Sequence, residues 1–129
     1  NGMTAGGRLI AIASTASLKG GANIASYAAA KHGVLGLVRS LAVELAREGI
    51  TCNAVCPGFV DTDMGQAAVT GVMERMNIPR EKAEKIVVGG NPMRRMINTD
   101  EVVAAVQFLA SPEASMVNGH ALSVSGGEI

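Results

Sequence analysis

Tryptophan is absent from the 129 residues, and tyrosine and phenylalanine together make up only 2%. A core without large rings has to be filled by Ala, Val, Ile, Leu and Met, which suits close packing of helices on a sheet. Charge of one sign is lacking too: 11 basic residues are matched by 11 acidic ones. With no basic patch and no acidic tail, nothing supports binding to nucleic acid or another polyanion. No apolar run is long enough to span a membrane, and no signal peptide opens the chain, so the expectation is a cytoplasmic protein with no membrane partner. There are two cysteines, Cys52 and Cys56. Along one strand they share a face but lie too far apart to bridge, and His32 and His120 add no ligand spacing, so they read as reduced core residues and not as a metal site. No internal repeat or low-complexity linker divides the chain, which is therefore one domain or part of one.

What is present reads as alternating strands and helices. Arg8 to Ala13 is a short apolar run between Gly6-Gly7 and Ser14, as expected of a buried strand. After a glycine-rich loop, Lys19 to Asn23, the pattern turns helical from Ser26 or Tyr27 to Glu48, with Val34, Val38, Leu41 and Leu45 on one line and Lys31, Leu35 and Ala42 on the next. Gly49 is placed to end that helix. Ile50 to Cys56 reads as a second buried strand, ended by Pro57-Gly58. The irregular segment 59–98 holds two short helices, Thr62–Met76 and Pro79–Val88, with Pro79 suited to a first helical position. Asn98 with Glu101 three residues on starts a further helix, whose expected apolar face is Val102, Val103, Val106 and Leu109. Ala121 to Ser125 is a third strand. Strands joined by helical crossovers imply an α/β fold with a parallel sheet.

Tyr27 is the one tyrosine, and Lys31 follows four positions later. On a helix that spacing places both side chains on one face, a turn apart. A free phenol holds its proton until about pH 10, so proton exchange near neutrality requires help from a neighbouring positive charge. Ser14, at the end of the first strand, supplies a hydroxyl able to bind a substrate oxygen. Taken alone, these residues read more simply as a tyrosine that caps a helix, a solvated lysine and a strand-end serine. Ser17 is a second candidate serine, but its ten-residue distance from Tyr27 fits less well.

Ser14 followed by Tyr27-Ala28-Ala29-Ala30-Lys31 resembles the short-chain dehydrogenase/reductase family, whose pattern is Ser and then Tyr-x-x-x-Lys. The surroundings resemble it as well: Gly7-Arg8-Leu9-Ile10-Ala11-Ile12-Ala13 upstream, Asn53-Ala54-Val55-Cys56-Pro57-Gly58 with Thr62 downstream, and Ser125-Gly126-Gly127 near the end. The resemblance implies the C-terminal half of a Rossmann-like doubly wound parallel sheet, three strands with crossover helices. It implies hydride transfer between nicotinamide and a carbonyl or secondary alcohol, with Ser14, Tyr27 and Lys31 as catalytic residues. Tyr27, Lys31, Pro57, Gly58, Val60 and Thr62 would then contact the cofactor. The cofactor is NADP or NAD, with NADP favoured by the resemblance. Segment 59–98 would be a substrate-binding lid, and its cluster of methionines suits a movable wall as well as simple gap filling. The wording is similar to 3-oxoacyl and polyketide ketoreductases and to 3-hydroxybutyrate dehydrogenases, which implies a 3-oxoacyl or 3-hydroxyacyl small molecule as substrate. Gly33 and Gly36 in the Tyr27 helix let a partner helix approach closely, and the resemblance implies a homo-oligomer.

These 129 residues contain no Thr-Gly-x-x-x-Gly-x-Gly turn, no Asn-Asn-Ala-Gly segment and no residue that reads the adenosine ribose. A Rossmann site holds its pyrophosphate at the first strand–helix turn. The expectation is therefore a chain that is inactive alone, with an uncovered strand edge that invites association. A different class of function remains open beside the enzyme: a non-catalytic scaffold that assembles with itself or with a longer relative.

Overall fold

A computed structural model describes residues 2–129. Three strands form one parallel sheet in the order β1-β2-β3: β1 is Arg8–Ile12, β2 Thr51–Pro57 and β3 Ala121–Val124. Arg8 is level with Thr51 and Ile12 with Val55, while Ala54 is level with Ala121 and Pro57 with Val124. Strand β2 lies between the other two and is buried from Thr51 to Cys56. That position explains its unbroken apolar run, since a central strand of a covered sheet has no face in water.

Side chains alternate across β2. Cys52, Ala54 and Cys56 face helix α1 (Ala25–Leu45) and pack on Leu35, Val38 and Ala42. Both cysteines are free thiols. Helix α4 (Thr99–Ala110) packs against β1 and β2. Asn53, fully buried, is satisfied from the segment that leads into β3: its Nδ2 donates to the Val117 carbonyl at 2.8 Å, and its Oδ1 accepts from the His120 N–H at 2.9 Å. A buried amide with both ends paired ties the sheet to that connection.

Segment 59–98 has its own small core. Helices α2 (Asp63–Met76) and α3 (Arg80–Val87) enclose Val69, Val72, Ala83, Val88 and Met96. A single bridge between Val60 and Ile97 closes its base.

Several expected boundaries and faces shift. Helix α1 starts at Ala25, one residue before the earliest expected start, and ends at Leu45 in a tighter turn, Ala46–Glu48. Gly49 closes it in the left-handed region at φ 73°, as expected. Its buried residues are Ala28, Leu35, Val38 and Ala42; the last three lie on the two expected lines, and Val34 and Leu41 pack, partly buried, against the same core. Pro79 sits one position before the first helical residue of α3, with ψ 154°. On α4 the buried residue is Leu109, whereas Val103 is 48% exposed. The first strand ends at Ile12, since Ala13 and Ser14 turn into the next loop, and the last ends at Val124.

Candidate active site

Strands β1 and β2 run in parallel, so the segments that leave their C-terminal ends meet on one side of the sheet, where open α/β folds bind ligands. A cleft of about 820 Å³ opens there. Ser14, Tyr27, Lys31, Pro57, Gly58, Val60 and Thr62 all line it. The tertiary structure thus brings together the three residues expected to do the chemistry and the four expected along the nicotinamide. A smaller cavity of about 330 Å³, bordered by Asn91, Arg95 and Ser125, contains none of them.

Ser14 caps a single tight turn, Thr15–Ser17, and its Oγ accepts the Ala16 N–H at 3.1 Å. A hydroxyl that accepts in this way keeps its own proton to donate. Ser17, the alternative serine, is 1% exposed, does not line the cleft, and its Oγ has no partner. Asn23 takes a left-handed φ of 64° and turns the chain into α1, whose first turn carries Tyr27. Tyr27 is 50% exposed. Lys31 Nζ lies 5.7 Å from the centre of the Tyr27 ring, within the range of a cation–π contact. The helical spacing therefore puts an ammonium group over the phenol ring.

Thr62 caps α2: its Oγ1 accepts the Gly65 N–H at 3.3 Å. Thr62 thus caps the helix and lines the cleft at once, because the cap stands at the cleft wall. Gly58 is tightly enclosed. A methyl group there would lie 3.3 Å from Ile97 Cδ1 and 3.1 Å from a carboxylate oxygen of Glu128. Beneath the site, burial pushes the Cys56 thiol above its usual range, opposed in part by a hydrogen bond from the Ser14 backbone and by the charge of Arg39. Cys52 is raised by burial as well.

The methionines divide. Met73 and Met96 belong to the core of segment 59–98, while Met64 lines the cleft and is 84% exposed. Ile12, Ile24 and Phe59 also line the cleft and make its wall largely apolar. Sequence reading passed over Lys19 and Glu128, which line it too. Among the described residues no cluster of His, Cys, Asp and Glu could hold a metal ion, and no helix is long and apolar enough to cross a membrane.

Comparison with known proteins bears on this site. Residues 1–128 match the family model described as enoyl-(acyl carrier protein) reductase. The chain is 41% identical over 121 residues to the 3-oxoacyl-[acyl-carrier-protein] reductase FabG of Vibrio cholerae, covering 94% of this chain and 45% of that protein. It is 38% identical over 122 residues to a D-beta-hydroxybutyrate dehydrogenase of Cupriavidus necator, covering 94% of this chain and 47% of the other. Among solved structures, an actinorhodin polyketide ketoreductase with NADPH superimposes with a TM-score of 0.87 at 39% identity, over 95% of this chain and 48% of that one. The chain thus spans about half the length of the relatives it matches.

Proposed function

The chain belongs to the short-chain dehydrogenase/reductase family, and on that basis we propose that it carries the catalytic half of an NADP(H)-dependent oxidoreductase acting on a 3-oxoacyl or 3-hydroxyacyl compound. The observation that carries the reading is the single cleft shared by Ser14, Tyr27, Lys31 and the strip from Pro57 to Thr62. NADP is preferred to NAD because a similar ketoreductase was solved with NADPH and a similar putative 2-deoxy-D-gluconate 3-dehydrogenase with NADP.

The residues present fit the nicotinamide end of the cofactor. Gly58 keeps the wall free of a side chain, and the cleft is long and largely apolar. Bound NADP(H) supplies or takes up the hydride. Tyr27 donates its phenolic proton to the carbonyl oxygen in reduction and accepts it back in oxidation. Ser14 donates a hydrogen bond to the same oxygen, which orients the substrate and stabilises the charge that develops there. Lys31 holds positive charge beside the phenol and would hold the ribose of the nicotinamide. Pro57, Gly58, Val60 and Thr62 would hold the nicotinamide ring, and segment 59–98 would cover the substrate as a lid.

The pyrophosphate would be held by a glycine-rich turn outside these 129 residues. Joining this chain to a first half that bears such a turn, then titrating NADPH and NADH, tests the reading. The expected result is tighter NADPH binding and reduction of a 3-oxoacyl thioester by the joined protein. Absence of turnover despite NADPH binding would favour the scaffold reading, which draws on the open edge of β1 and the exposed Leu37 and Val43 of α1.

A further inference from the structure

Two charged side chains line the cleft without a role in the chemistry above. Lys19 leaves the loop that follows Ser14, and Glu128 follows the Gly126-Gly127 turn after β3. Lys19 Nζ and Glu128 Oε1 are 2.8 Å apart, with 41% of the lysine side chain and 15% of the glutamate side chain exposed. The cation therefore stands at the mouth and the carboxylate farther in.

Glu128 occupies a slot that two glycines leave open. A methyl group at Gly58 would come within 3.1 Å of Oε2, and one at Gly90 within 3.2 Å of Oε1. Oε1 takes the ammonium of Lys19, while among the described residues no donor reaches Oε2. Oε2 is not among the buried atoms left without a partner, so water reaches it in the cleft and a ligand donor can take that water's place. Lys19 has three N–H groups, and Glu128 engages one side of it. The pair is neutral as a unit, so it does not recruit an ion. An anionic ligand would face Glu128, and a cationic one would face Lys19. What the pair offers is one free acceptor beside free donors, and a hydroxyl group matches that set because it donates and accepts through the same oxygen.

We infer that Lys19 and Glu128 are specificity-determining residues: the cleft selects a carbonyl compound that carries a hydroxyl group away from the reacting carbon. The hydroxyl donates to Glu128 Oε2 and accepts from Lys19 Nζ. The inference rests on the carbonyl-site reading above and narrows its substrate class.

The test is ligand-detected NMR of the joined protein with NADP+ bound and two probes of equal carbon length, pentanone and pentanone bearing a terminal hydroxyl. The hydroxyketone is expected to bind about tenfold tighter, the range of one hydrogen bond to a charged group. Glu128→Leu and Lys19→Met each bring that preference close to unity, and Lys19→Arg, which keeps donors, retains it. If one of the first two variants fails to fold, the other decides the matter. Equal affinity of the unaltered joined protein for both probes, with binding of each still weakened by Ser14→Ala, overturns the inference and leaves the carbonyl site standing. A preference that survives both Glu128→Leu and Lys19→Met overturns it too. If both variants melt at lower temperature with the preference intact, the pair is a structural strap only. Binding of neither probe, or binding indifferent to Ser14→Ala, overturns the carbonyl site and this inference with it.

Discussion

Tyr27 and Lys31 stand one helical turn apart, so the ring and the ammonium can be separated by substitution without disturbing the sheet. In the joined protein, Tyr27→Phe keeps the ring and removes the proton donor. Turnover is expected to fall by about 10²–10⁴-fold, the usual contribution of a positioned acid–base group, with NADPH affinity unchanged in a fluorescence titration. Near-normal turnover in that variant would remove Tyr27 from the mechanism. Lys31→Ala is expected to weaken both turnover and NADPH affinity and to alter the pH–rate profile, since one ammonium serves phenol and ribose. An unchanged profile with intact binding would contradict that double duty. The two cysteines behave differently from surface thiols. Both are buried, and burial raises both above the ordinary thiol range, so a neutral-pH alkylating reagent should modify neither in the folded chain and both in denaturant. Rapid labelling of the native chain, read by mass spectrometry, would mean that β2 is not the central strand.

At the scale of elements, the start of α4 carries a pH-dependent contribution. Glu101 accepts the Asn98 backbone N–H at 2.9 Å and pairs with Arg95 at 2.6 Å. The Arg95 hydrogen bond first, and the Asn98 N–H second, lower the Glu101 carboxyl from its ordinary 4.5 to about 2. A depressed acid stabilises the fold above its unfolded value and loses that contribution as pH falls through the folded value. The amides at the start of α4 should therefore lose hydrogen-exchange protection between pH 4.5 and about 2. Glu101→Gln should lack this component at every pH, and a wild-type profile in that variant would disprove the linkage. The capping signal was legible in the sequence because it is local: Asn98 and Glu101 are three residues apart. Of the expected face of α4, Leu109 is buried and Val102 and Val106 are partly buried, while the sheet's position leaves Val103 exposed. On α1 the expected Leu35, Val38 and Ala42 pack on the sheet, and among its buried residues only Ala28 lay outside the expected lines.

For the molecule as a whole, the open edge of β1 is decisive. Among the described residues β1 pairs only with β2, and Ile12 at its end is 55% exposed. An unpaired apolar edge seeks another strand. The 129-residue chain alone is expected to show no dehydrogenase activity and to self-associate in light scattering. Ile12→Lys, a charge at the edge, should shift it toward monomer. A monodisperse monomer that reduces a 3-oxoacyl substrate with NADPH would refute both expectations.

By itself the sequence determined what depends on short separations. The Tyr27–Lys31 spacing, the stop at Gly49, the cap at Asn98 and the three strand runs are each written within a few residues, where backbone geometry alone sets the outcome. The family resemblance joined Ser14 to the Pro57–Thr62 strip through motifs that are each local. Tertiary structure alone decided how distant pieces meet. It set β2 in the middle, excluded Ser17 from the cleft and brought Lys19 to Glu128 from opposite ends of the chain. No local pattern encodes that pair, because its contact depends on where the parallel sheet carries the ends of β1 and β3 and on the two glycines, Gly58 and Gly90, that leave room for the carboxylate between them.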